Sequence, residues 1–155
     1  MDETGFIREA TAQDLKEIID LENRCFNQDH AYSAKQLTYL ITKAHSYTLV
    51  YVNKEKIHGF LILLFRKGSV VSGVETINVD PAVQKKGIGK KLMLAAEQEA
   101  RKQGMREIRL EVSIGNAAAI LLYEKLGYVI TALLTSYYQT DHFGSKDAYR
   151  MKKKL

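Results

Sequence analysis

Hydrophobic positions change their period several times along this chain, and each change marks the edge of an element. Gly5 to Arg8 reads as a short first strand. Thr11-x-x-Asp14 has capping-box spacing, and Leu15, Ile18 and Ile19 then recur at helical intervals. Ser33 is placed to cap a second helix through Leu37, Leu40 and Ile41. Tyr47 to Val52 and Ile57 to Phe65 are strands, joined around Asn53-Lys54-Glu55-Lys56 by a four-residue hairpin connection. Val70 to Val79 is a further strand, broken by Pro81, the only proline. Two glycines follow, and Ile88, Leu92, Ala95 and Ala96 lie on one side of a helix that Gly104 is placed to end. Ile108, Leu110 and Val112 alternate with Glu107, Arg109 and Glu111, the period of a strand. Asn116 caps a short helix, Ala117 to Leu126, stopped by Gly127, and closing strands lie near Tyr128 to Leu134 and Ala148 to Lys152. The order βααβββαβαββ predicts a mixed sheet covered by helices, an α/β-type architecture.

With 155 residues and no repeat or linker, the chain is expected to form one domain over 1–155 with a sizeable core. Hydrophobic content of 46% beside 26% charged residues is that of an ordinary globular protein. No apolar run approaches the ~20 residues of a membrane span. The polar, acidic start Met1-Asp2-Glu3-Thr4-Gly5 argues against a signal peptide. A single cysteine excludes an internal disulfide, so a reducing cytoplasm is expected. The net charge of +5 is mild, and much of it gathers near the glycine turn and in Lys152-Lys153-Lys154. The four histidines (30, 45, 58, 142) are isolated in the sequence and match no metal-ligand spacing. Neither nucleic acid nor membrane is expected as a partner, and a monomer or weak homodimer is the expected state.

The glycine turn carries the first chemistry. A strand that ends in such a turn and opens a helix builds an anion site, because the first helical N–H groups have no partner within the helix and the dipole favours negative charge there. Glycine lets the backbone approach the anion, as no Cβ intervenes. A P-loop needs four residues between its glycines and a Gly-Lys-Ser/Thr ending, whereas here Gly87 and Gly89 are followed by Lys90-Lys91. A dinucleotide fingerprint needs a third glycine where Leu92 stands. A basic turn capping an ordinary helix is the other reading of these residues.

A second block runs Leu110-Glu111-Val112, then Asn116 to Tyr128. Asn116 and Tyr123 are seven residues apart, two helical turns, so they share a face and could line a cleft. A cap and a packed aromatic are the more common roles of such residues and explain them as well.

Gln84-x-x-Gly87-x-Gly89 together with Asn116-x-x-Ala119-x-x-Leu122-Tyr123-Glu124-Lys125-Leu126-Gly127-Tyr128 resembles the GNAT superfamily of acyl-CoA-dependent N-acetyltransferases, over residues 5 to 155. The resemblance implies acetyl-CoA as cofactor, its pyrophosphate wrapped by the turn Gln84, Lys85, Lys86, Gly87, Ile88, Gly89 and Lys90. It implies that Asn116 contacts the pantetheine arm, that N–H groups of Ile77, Asn78 and Val79 hold the thioester carbonyl, and that Tyr123 protonates the departing thiolate. A phenol suits that step, since it donates without staying ionised at neutral pH.

An amine must lose a proton to attack a thioester, and a carboxylate can take it. Glu111 is the candidate base, because its block looks like that of the ribosomal-protein alanine N-acetyltransferases. Glu75 in the preceding strand is its rival, and an exposed strand glutamate remains an alternative for Glu111. Tyr137-Tyr138 followed by Asp147-Ala148 and Met151 resembles the close of N-terminal protein acetyltransferases. The acceptor implied is a protein or peptide N-terminus, that of a ribosomal protein among them, bound by Glu22, Tyr32, Tyr137 and Tyr138. This chain has Ala31-Tyr32-Ser33 where the bacterial ribosomal-protein enzymes usually have Pro-Trp-Ser, and Ser113 where close relatives carry an arginine. A small-amine acetyltransferase (polyamine, aminoglycoside or amino acid) is the alternative within the superfamily, and a non-enzymatic acyl-CoA-binding module the alternative outside it.

Overall fold

The computed structural model describes residues 5–26, 29–84 and 86–155. In chain order its elements are β1 (Phe6–Glu9), α1 (Leu15–Cys25), α2 (Ala34–Thr42), β2 (Ser46–Asn53), β3 (Lys56–Leu64), β4 (Val71–Val79), α3 (Ile88–Lys102), β5 (Glu107–Ser113), α4 (Ala117–Lys125), β6 (Val129–Leu134) and β7 (Ala148–Lys154). This is the order βααβββαβαββ read from the periodicity, with boundaries displaced by a few residues at most.

Local chemistry accounts for several of those boundaries. At Thr11 the capping box forms, its N–H donating to the Asp14 carboxylate at 2.7 Å, but it opens a single 3-10 turn (Ala12–Asp14) before α1 begins. Arg8 grips the same carboxylate with both terminal nitrogens, at 2.7 and 2.9 Å, and so ties β1 to that turn. Ser33 caps α2 reciprocally with Gln36. The β2–β3 connection is shorter than expected. Asn53 pairs with Lys56, leaving only Lys54 and Glu55 in the loop, with φ of 53° and 65°. That is the backbone of a type I′ turn, whose twist matches the flanking strands. Neither residue favours positive φ, which is why the sequence shows no turn signal there.

All seven strands form one sheet in the order β1-β2-β3-β4-β5-β7-β6, antiparallel except between β4 and β5. Alternation sends Leu49, Tyr51, Leu61 and Leu63 under α3, against Leu92, Met93 and Ala96. It sends Val50, Val52, Phe60 and Ile62 to the other face, against Ile18 and Leu21 of α1 and Leu37 of α2. Strands covered on both faces must be apolar almost throughout, as β2 and β3 are. β5 is covered on one face only: Ile108, Leu110 and Val112 join the layer under α3, while Glu107, Arg109 and Glu111 point away from it.

The feature that positions the site is the short joint between β4 and β5. Their parallel pairing covers only Val71↔Glu107, Ser72↔Ile108 and Gly73↔Arg109. On the other side of β4, Val74 pairs with Leu63 and Thr76 with Ile62, so Glu75 is an extra residue, a bulge. A bulge bends its strand, and beyond Gly73 the ladder between β4 and β5 stops. Among the described residues no helix is long and apolar enough to cross a membrane.

Candidate active site

Where β4 and β5 part, a cavity of about 510 Å³ opens. β4 lines it with Glu75, Thr76 and Ile77, β5 with Leu110 to Ser113, and α4 with Asn116 and Tyr123. Glu22 and Tyr32 close it from the α1–α2 side, and Tyr137 and Tyr138 from the β6–β7 loop. Nine residues singled out from the sequence, Glu75 included, thus meet at one place.

Glu111 is placed there by strand alternation, its carboxylate Oε2 accepting from Arg150 Nε at 2.9 Å and lying 3.4 Å from Arg109 Nε. Both arginines were absent from the sequence expectation, although Arg109 lies two residues from Glu111 and therefore on the same strand face. Glu75, the rival base, accepts a hydrogen bond from the Tyr32 hydroxyl. Burial and the facing Glu75 push the Tyr32 phenol well above its ordinary range.

Tyr123 is 6% exposed, its ring 6.1 Å from that of Tyr128 at a steep angle. Burial, with the nearby Tyr138, raises its pKa well above that of a free phenol, so the proton stays on oxygen through the neutral range. Asn116 caps α4, its Oδ1 accepting from Ala119 N–H at 3.2 Å. Tyr137 and Tyr138 stand perpendicular, 5.0 Å between centroids, and burial pushes the Tyr138 phenol up to about 12.

Glu22 lines the cavity but is 1% exposed, and both its oxygens are taken within the chain. Oε2 accepts from Tyr32 N–H at 2.8 Å and Oε1 from the Asn78 side-chain amide. Named from the sequence as an acceptor-binding residue, it fastens the loop carrying Tyr32 to β4. Burial raises its pKa, against the pull of those two donors.

The cofactor residues lie at the far end of β4. Asp80 N–H donates to the His58 carbonyl, and Asn78 pairs with Phe60. Antiparallel alternation then turns Asn78 N–H towards β3 and leaves those of Ile77 and Val79 facing the side from which β5 has parted. Of the three amides expected to hold a carbonyl, two therefore face the gap between β4 and β5. The Gln84 side chain ties back to the Val79 carbonyl at 3.2 Å. Gly87 adopts φ 79° as the N-cap of α3, with nothing within 4 Å of where a Cβ would stand. Lys91 is the first residue of the helix to donate back, to the Gly87 carbonyl, so among the described residues the N–H groups of Ile88, Gly89 and Lys90 have no acceptor in the preceding turn. The side chain of Ile88 belongs to the core, while Lys86 and Lys90 are exposed. Lys85 lies outside the described residues.

Two of the histidines are not isolated in space. His30 and His142 pack 4.2 Å apart at the cavity wall, with Tyr138 and Phe26 around His142. No sequence signal links positions 112 apart. Cys25 hydrogen-bonds the Val79 carbonyl, and burial pushes its thiol up to about 12, which leaves little thiolate for a covalent role.

A model of the acetyltransferase (GNAT) family matches residues 15–128. A ribosomal-protein-alanine N-acetyltransferase of Escherichia coli is 41% identical over 75 residues, 48% of this chain and 50% of that one. The match thus spans about half the length of these curated relatives. Among solved structures, a ribosomal-protein-alanine N-acetyltransferase from Escherichia coli superposes with a TM-score of 0.88 at 26% identity, covering 98% of this chain and 94% of that one. Ard1 from Thermoplasma volcanium gives 0.82 at 27% identity, covering 97% of each chain. A family match that runs from the start of α1 to the end of the α4 motif takes in both blocks singled out in the sequence, and the chain belongs to the GNAT acetyltransferase family.

Proposed function

We propose that this chain is an acetyl-CoA-dependent N-acetyltransferase acting on the α-amine of a protein N-terminus, a ribosomal protein being the acceptor class suggested by the names of its relatives. The observation that carries the reading is the convergence of Glu111 and Tyr123 on one cavity, beside the unpaired amide of Ile77.

The chain's residues fit the cofactor. The open turn at Gly87, the N–H groups after it that have no acceptor among the described residues, and the exposed Lys86 and Lys90 suit a pyrophosphate. When bound, acetyl-CoA supplies an acetyl group activated as a thioester. The amides of Ile77 and Val79 are oriented to donate to the thioester oxygen as charge gathers there. Glu111 takes a proton from the ammonium, directly or through water, while Arg150 holds its Oε2 in place. The buried phenol of Tyr123 donates to the sulfur as it leaves. Tyr137 and Tyr138 offer aromatic walls that hold peptide backbone without requiring a particular side chain.

The three glutamates lining the cavity favour a second reading, a small cationic amine such as a polyamine. One assay separates the two: thiol release from acetyl-CoA with free peptides, the same peptides N-terminally blocked, and polyamines. Turnover of free peptides that vanishes on blocking is expected. Turnover of polyamines alone would replace the peptide reading with the second.

A further inference from the structure

On the side of the sheet that α1 and α2 cover elsewhere, no helix among the described residues packs over β5 and β7. Their register sets Glu111 beside Arg150, Arg109 beside Lys152 and Glu107 beside Lys154. Four cations stand against two carboxylates, an excess of 4 − 2 = 2 positive charges. The carboxylate of Glu111 meets both guanidiniums through one oxygen, at 2.9 and 3.4 Å, and one negative charge cannot neutralise two positive ones. Lys152 is only 4.0 Å from Glu107, the outer limit of an ion pair, and its side chain is 36% exposed.

This strip begins at the cavity wall, because Glu111 belongs to both. Tyr137, at the mouth, feels the charges of Glu111 and Glu75 opposed by those of Arg150 and Arg109. The polarity therefore reverses along one path, with carboxylates where an amine would enter and excess cations beyond it. From Glu111 to Glu107 the strip is ~14 Å long at the rise of a strand, room for about four extended residues.

Resting on the peptide reading above, we propose that the acceptor's residues beyond its first two run along the β5–β7 strip, and that the strip selects acceptors acidic in that stretch. The interspersed carboxylates and short length favour a peptide over a nucleic-acid backbone.

The test uses peptides sharing their first two residues, with the next four acidic, neutral or basic. The specificity constant kcat/KM is expected to be about tenfold higher for acidic than for basic peptides, carried by KM and shrinking as salt rises. Charge reversal by Lys152→Glu, or by Lys154→Glu should the first not fold, is expected to remove most of that preference. Anisotropy of labelled, N-terminally blocked versions reads the strip without turnover. Turnover of peptides without charge preference sinks the strip and leaves the peptide reading standing. Absence of peptide turnover, with acidic peptides still bound in a Lys152-dependent way, does the reverse. Equal binding of all three blocked peptides, or their displacement by an unstructured RNA oligonucleotide of far higher affinity, overturns the proposal.

Discussion

The β2–β4 half of the sheet and the β5–β7–β6 half are built from strands of similar length, yet only the first is packed on both faces. In β3, Phe60 and Ile62 meet α1 and α2 while Leu61 and Leu63 meet α3, and all four are fully buried. In β5 only Ile108, Leu110 and Val112 are buried under a helix, and the opposite row is charged. The first half can therefore be read as scaffold. The second keeps one face for polar work, and the catalytic candidates sit along the seam. Stability and chemistry are divided between the halves because a row of ionised side chains and a row of packed apolar ones cannot occupy the same face.

The division predicts unequal responses to substitution. Phe60→Ala, in the doubly covered half, is expected to cost about 3–5 kcal/mol, whereas Lys152→Ser on the open face stays within about 0.5 kcal/mol. Urea titration checks both, and comparable losses would erase the distinction.

At the seam, Tyr123→Phe keeps the packing and removes the proton. Turnover is expected to fall about a hundredfold, with acetyl-CoA affinity unchanged in a binding titration. Undiminished turnover would take the acid role from Tyr123.

Glu22 gives a pH signature on the covered side. Its pKa when folded is raised above the ordinary 4.5 by burial, so the stability it contributes is full below that value and is lost as pH rises through the folded pKa. Glu22→Gln cannot titrate, and as pH rises above the ordinary carboxylate range and through the folded pKa of Glu22 the native chain should lose ground to it. Denaturation midpoints that run parallel across this window would show that Glu22 is not desolvated.

A stabilising change is expected at the β2–β3 turn. Replacing Lys54-Glu55 by Asn-Gly supplies residues suited to positive φ and should add about 1 kcal/mol, visible as a higher Tm. No gain would mean that the two-residue turn is not strained by its present side chains.

The comparison also explains what could be read without coordinates. Element order was legible in both halves, because period 2 and period 3.6 are local signals. Glu111, Asn116 and Tyr123 were legible as a group through the resemblance of their block to that of the ribosomal-protein alanine N-acetyltransferases, since spacing alone left an exposed glutamate, a cap and a packed aromatic open. The bulge at Glu75 was not legible: it is defined only against β3, by the pairs Val74↔Leu63 and Thr76↔Ile62. The engagement of Glu22 was equally hidden, since its donors Tyr32 and Asn78 lie 10 and 56 residues away. The close pair His30 and His142 depends on two loops meeting, which no periodicity encodes.

The joint of three residue pairs between β4 and β5 bears on how a small chain tolerates so large a hollow. A sealed, dry void of 510 Å³ in a packed core would cost about 24 cal/mol per Å³, or ~12 kcal/mol, as much as the whole stability of many domains. Ending a ladder early costs only the hydrogen bonds not made, about 1 kcal/mol each, and water can satisfy the groups left over. The slot between β4 and β5 is thus an interruption in backbone pairing, open to solvent, and the apolar layer beneath α3 runs past it unbroken.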